Sequence, residues 1–199
     1  MSQSNQSLAT LIGSRICHDL ISPVGAIQNG IELLAMEGRK SPELTLIEES
    51  VANASARIRF MRVAFGMAGG QSIGRAEIQS ILDDMGRAGR VRYDWAGGED
   101  CPRQSLQAVF LAFLCLEAAM PRGGTIRAER DGAGWIISGP ADKTRPDPAL
   151  WTQLCGGSGD AEVLPAHVQF VLLAALLNDR GTRAQVADAG ETVEIRFPA

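Results

Sequence analysis

Histidine is scarce in this chain: its 199 residues hold two. One stands in the run Cys17-His18-Asp19-Leu20-Ile21-Ser22-Pro23. A neutral imidazole nitrogen is a good nucleophile. An adjacent carboxylate can accept the proton on the other ring nitrogen and stabilise the cation that develops. The pair therefore suits nucleophilic capture of a phosphoryl group, with His18 as acceptor and Asp19 as general base or orienting group. A bare His-Asp neighbour pair is also a common surface feature, so the surroundings must decide. On a helix, the positions three, four and seven residues away are Leu11, Ser14, Arg15, Ile21, Ser22 and Gly25. Most are small or polar, which leaves an open face around His18. Pro23 within that helix costs about 3 kcal/mol and removes the hydrogen bond to the carbonyl of Asp19, an expensive arrangement for mere packing.

The element carrying this run is predicted to be a helix from Leu8 to Met36. Leu8, Ile12, Ile16, Leu20, Ile27, Ile31 and Leu34 recur at helical spacing as one apolar stripe. Glu37-Gly38-Arg39-Lys40 should end it, with a glycine at the C-terminus and cations beside it. Ser41 is a cap, Pro42 a first-turn residue, and a second helix follows. Its apolar positions Leu44, Ile47, Val51, Ala54, Ile58, Met61 and Phe65 alternate steps of three and four, as a heptad seam does. Residues 68 to 72, Ala-Gly-Gly-Gln-Ser, are expected to be a hinge. Two antiparallel helices hide only the surface between them. The remaining apolar surface asks for a second copy and a four-helix bundle.

The rest of the chain alternates. Helices are expected at Ala76–Ala88, Ser105–Met120, Pro148–Leu154 and Ala166–Leu177. Strands are expected at Val91–Trp95, Thr125–Glu129, Gly134–Ser138, Arg183–Ala187 and Thr192–Phe197, the last four as two hairpins. This order makes a two-layer α+β sandwich with helices on one face of a mixed sheet. The expected division is a helical hairpin over residues 1–70 and a sandwich over 71–199.

Composition narrows the function classes. A net charge of −4 makes nonspecific nucleic-acid binding a poor expectation. The longest apolar run, Ala108 to Leu116, is half of a bilayer span. Met1 to Ser7 is polar and resembles no export signal, so the expected location is the cytoplasm. Four scattered cysteines without a Cys-x-x-Cys suggest reduced thiols rather than a disulfide frame or zinc site. His167, the second histidine, has no metal-type ligand nearby, and Trp95, Trp135 and Trp151 are expected to pack in the core.

The segment from His18 to Pro23 resembles the phosphoacceptor box of sensor histidine kinases, His-(Glu/Asp)-Leu-x-(Ser/Thr)-Pro. Pro121-Arg122-Gly123-Gly124 and the ending Gly190 to Pro198 resemble parts of their ATP-binding (Bergerat) domain. The departures are large. The buried helix has Leu111, Cys115 and Glu117 where the kinases place asparagines. The adenine-reading box is reduced to Ser138-Gly139-Pro140-Ala141, and the second glycine box to Gly156-Gly157-Ser158-Gly159. Missing Asn and Asp side chains mean missing partners for magnesium and adenine. No cofactor is expected: no ATP, and Mg²⁺ only through a partner's receiver domain.

A phosphoacceptor hairpin joined to such a domain is similar to the dimeric bacterial histidine phosphotransferases of the ChpT type. Ala26 to Leu34, Arg62 to Gly66, and His167-Val168-Gln169 match further stretches of that family. The resemblance implies a homodimer and a phosphorelay. His18 would take a phosphoryl group from a hybrid kinase's receiver aspartate and pass it to a response regulator. The regulators implied are a CtrA-type transcription factor and a single-domain receiver. Ser22 is then a possible support of the site. Ile21, Gly25, Asn29, Glu32 and Arg62 are candidates for touching the docked receiver. Two other functions stay open on the residues alone: a diverged ATP-dependent sensor kinase, and a noncatalytic signalling scaffold.

Overall fold

The computed structural model describes residues 3–38, 41–144, 147–157 and 164–199. Two long helices open the chain, α1 (Gln3–Met36) and α2 (Pro42–Ala64). Gly38 takes a φ of 77°, the left-handed turn that ends α1 at little cost only in glycine. Ser41 Oγ accepts from the Leu44 amide at 3.2 Å and Pro42 opens the first turn of α2. Helix α1 runs uninterrupted through Pro23.

The seam between α1 and α2 differs from the expected one. Among the described side chains of the α1 stripe, only Ile31 is buried, while Ile12, Ile16, Leu20, Ile27 and Leu34 are exposed. The contact with α2 is made through small or compact residues instead. Cys17 is buried, and a side chain at Gly13 would press on Phe65 at 3.2 Å. Small residues let the helices approach closely and turn the bulky stripe outward.

Beyond the hairpin lie β1 (Ser72–Gly74), α3 (Arg75–Ala88), β2 (Val91–Ala96), β3 (Asp100–Pro102) and α4 (Arg103–Ala119). They are followed by β4 (Gly124–Asp131), β5 (Gly134–Pro140), α5 (Pro148–Leu154), α6 (Val168–Asp179), β6 (Gln185–Asp188) and β7 (Thr192–Pro198). The main sheet has the order β2-β4-β5-β7-β6; β2 and β4 run parallel and the other pairs antiparallel. β1 and β3 form a separate antiparallel pair that the sequence pattern does not predict. Three residues each are too few to display alternation. The last helix begins at Val168 rather than Ala166, after a 3-10 turn at Pro165–His167.

Val91, Trp95, Ile126, Ala128, Trp135, Ile137, Val193, Ile195 and Phe197 project from one sheet face into the core. Alternation puts Arg127 and Asp94 on the other face, as an ion pair in solvent. Helix α4 lies at the centre, buried along most of its length. The same core includes Phe60, Val63 and Ala64 at the end of α2. Phe60 stacks on Phe110 of α4 with ring centroids 4.6 Å apart. The segment expected as a hinge thus joins a hairpin and a sandwich that share buried side chains.

Candidate active site

His18 and Asp19 are brought together. His18 Nδ1 lies 3.2 Å from Asp19 Oδ1. The His18 side chain is 84% exposed, and that of Asp19 49%. Helical geometry explains the openness: Ile16 and Leu20 point to a different face, and Ser22, one turn further on, is short. The side chain of Ser14 lies outside the described residues. Arg15, one turn earlier, donates from Nε to Asp19 Oδ2 at 2.7 Å. The hydrogen bonds from His18 and Arg15, together with their charges, hold the Asp19 carboxyl below the usual carboxylate range.

An ionised carboxylate can only accept hydrogen bonds. The contact with an ionised Asp19 favours the tautomer with the ring proton on Nδ1 and the lone pair on Nε2, on a side chain that is largely exposed.

The other expected contact residues divide into three places. Ile21 and Gly25 line an open groove of about 840 Å³ beside the site, with Val24, Gln28, Arg59 and Asp84 around it. Asn29 and Glu32 are exposed on α1. At 1.5 Å per residue they lie about 16 and 21 Å along the axis from His18. They stand outside the constellation at the imidazole, and Gln28 Nε2 donates to Glu32 at 3.5 Å. Arg62 is exposed near the end of α2, level with Cys17, whose thiol it lowers while burial pushes that thiol up more strongly. Its backbone carbonyl accepts from Arg103 at 2.5 Å. The neighbouring arginines have partners of their own. Arg57 donates to Asn53, and Arg59 to Asp84 and Ser80 on α3.

In the sandwich, Cys115 and Leu111 are buried in the core, and burial pushes the Cys115 thiol well up. Glu117 accepts from the Tyr93 hydroxyl at 3.1 Å. A side chain at Gly139 would meet Met120 Sδ at 3.0 Å. Gly156 and Gly157 follow α5, whereas Ser158 and Gly159 lie outside the described residues. Trp95 and Trp135 pair at 5.2 Å within the core, and Trp151 meets Phe170 edge-on. His167 also packs edge-on against Phe170. Among the described residues there is no group of three His, Cys, Asp or Glu side chains able to hold a metal ion. Among the described residues, no helix is long and apolar enough to cross a membrane.

Arg15 carries no role in the sequence pattern read above, although its spacing of four from Asp19 is the signal of an ion pair on one helix face.

A surface histidine on a helical hairpin, fused to a two-layer α+β sandwich, fits the class of histidine phosphotransfer proteins. Comparison with known proteins agrees. Residues 75–192 match the family described as the histidine phosphotransferase C-terminal domain. Protein phosphotransferase ChpT of Brucella abortus (strain 2308) is 32% identical over 194 residues, which cover 94% of this chain and 92% of that protein. A solved structure described as a bacterial phosphotransferase superposes with a TM-score of 0.69 at 27% identity, covering 99% of this chain and 97% of the other. The chain belongs to the histidine phosphotransferase family and is a phosphotransferase of ChpT type.

Proposed function

We propose that His18 is the phosphoryl carrier of a phosphorelay, receiving from one receiver-domain aspartate and delivering to another. The observation that carries this reading is the His18–Asp19 contact, which leaves Nε2 as the free nucleophile on a ring 84% exposed. In loading, the Nε2 lone pair forms the N–P bond. The P–O bond pair leaves with the partner's carboxylate, and the proton stays on Nδ1. Asp19 faces the resulting ring cation and offsets its charge. In unloading, the N–P pair returns to Nε2. In-line displacement from another protein's carboxylate needs the imidazole to enter that protein's pocket, which an exposed helix face allows.

The donors and acceptors are receiver domains: the receiver of a hybrid kinase on one side, a CtrA-type regulator or a single-domain receiver on the other. Ile21 and Gly25, one and two turns beyond the imidazole, are placed to meet such a domain. Ser22 supports by leaving room. Arg62 adds a cation for the acidic pocket of a receiver, and Asn29 and Glu32 could be reached only by a partner lying along α1. The protein works as a cytoplasmic homodimer, with the exposed apolar stripe Ile12, Ile16, Leu20 and Ile27 covered by the second copy. Magnesium enters with the receiver. The apolar packing around Leu111 and Cys115 supports a sandwich that does not hold ATP.

The test is incubation with phosphorylated receiver domains. Label is expected on this chain, stable to base and labile to acid as a phosphoramidate is. His18→Ala should take up none. Label on a carboxylate, or equal label on His18→Ala, overturns the assignment.

A further inference from the structure

We propose that Arg15 is a positioning residue for this transfer, acting on His18 through Asp19; the inference rests on the role assigned to His18 above. Arg15 Nε binds Asp19 Oδ2 at 2.7 Å, and His18 Nδ1 lies 3.2 Å from Asp19 Oδ1. The two carboxylate oxygens are thus divided between two partners. One is fixed by a guanidinium on the same helix, and the other is turned to the imidazole.

As an element of stability, the pair has little to offer. The Arg15 side chain is 76% exposed, and exposed ion pairs contribute little. The order is also the less favourable one on a helix, with the cation N-terminal to the anion. What the pair does is chemical. A free aspartate on a helix surface samples several rotamers. With Oδ2 held, the rotamer that presents Oδ1 to Nδ1 is favoured over the others. The ring tautomer follows, because the hydrogen bond at one ring nitrogen decides where the proton sits.

The second consequence concerns the proton. A carboxylate held by a guanidinium is a weaker base. Asp19 therefore leaves the Nδ1 proton in place when the N–P bond forms, and the loaded ring stays a cation. On unloading the bond pair returns to Nε2, and a protonated ring accepts that pair more readily than a neutral one. Arg15 in this way favours both directions of the transfer without touching the phosphoryl group.

Five versions of the whole chain test this: wild type, Arg15→Gln, Arg15→Lys, Asp19→Asn, and Arg15→Gln in the Asp19→Asn background. Nitrogen-edited NMR reads the His18 tautomer, and phosphoramidate salt serves as the chemical donor for loading. The wild type is expected to hold its proton on Nδ1. Arg15→Gln should shift the tautomer toward Nε2–H and slow loading about tenfold, the low end for loss of a partner that orients a functional histidine. Arg15→Lys should restore part of both. In the Asp19→Asn background the Arg15 change should have no further effect, since a residue acting through Asp19 is not additive with it. An unchanged tautomer and rate in Arg15→Gln, or a full additional loss in the Asp19→Asn background, overturns the proposal. Failure of the underlying role looks different: His18→Ala would then load as fast as wild type.

Discussion

Gln107, on the buried helix α4, donates its side-chain amide to two backbone carbonyls at the end of α2, those of Ala64 at 3.2 Å and Gly66 at 2.9 Å. The last carbonyls of a helix lack intrahelical partners. Here the sandwich supplies them, so the hairpin that bears His18 is anchored by a side chain more than forty residues away. Replacing Gln107 with Leu keeps the bulk but leaves buried acceptors unmatched. A loss of about 1–3 kcal/mol is expected. For a chain of this size each kcal/mol corresponds to roughly 2–4 °C, so thermal denaturation reads the effect. An unchanged midpoint would mean that water replaces the amide.

The exposed stripe of α1 leads to a second prediction. Ile16 and Leu20 are large apolar residues left in solvent by the folded single chain. Ile16→Asp should convert the proposed dimer to a monomer in light scattering at micromolar concentration, with the secondary structure retained. Because Ile16 makes no part of the buried core, a loss of the fold instead of the dimer would place this face inside the protomer.

How much of this was legible in the sequence depends on the length of the signal. The long periodic segments gave α1, α2 and α4, and shorter alternating runs gave the five strands of the main sheet and its two hairpins, because many residues repeat the same constraint. The seam of the hairpin was not legible. Periodicity marks the bulky stripe, but Gly13 and Cys17 make the intrachain contact, and small residues at helical spacing look unremarkable. β1 and β3 were invisible for want of length. At the site, the His18–Asp19 contact could be expected from adjacency. Arg15 could have been found from its spacing to Asp19, whereas Gln107 had no local signal, since its partners lie on another element.

Alkaline pH supplies a third prediction. Burial pushes the Cys101 thiol up to about 11 from an ordinary value of 9.0. Burial, with Glu117 adding to it, also raises Tyr93, and burial raises Cys115. For each, the folded chain holds its proton where the unfolded chain releases it. Stability is therefore complete below pH 9 and falls as pH rises from 9 toward 11. Urea midpoints should drop over that window. Cys101→Ala should lower the slope of the drop, and a parallel slope would show that this thiol titrates the same in both states.

A fourth prediction concerns the asparagine absent from the α4 helix. If the sandwich were a kinase domain short of one ligand, Cys115→Asn would restore binding. The packing argues for the opposite outcome. Cys115 is fully buried in the core cluster that also holds Leu111, Leu116 and Met120, and its side chain has no opening to solvent. An amide there brings both donors and acceptors into apolar surroundings. Each unmatched group costs about 1–3 kcal/mol. The variant should melt several degrees below wild type, and Mg-ATP should move the midpoint of neither protein. A ligand present at 100 times its dissociation constant would stabilise by about 2.7 kcal/mol, well within reach of a thermal scan. A rise in the melting temperature of Cys115→Asn with Mg-ATP would mean that α4 still faces a nucleotide pocket, and that the loss of ATP binding rests on a single side chain.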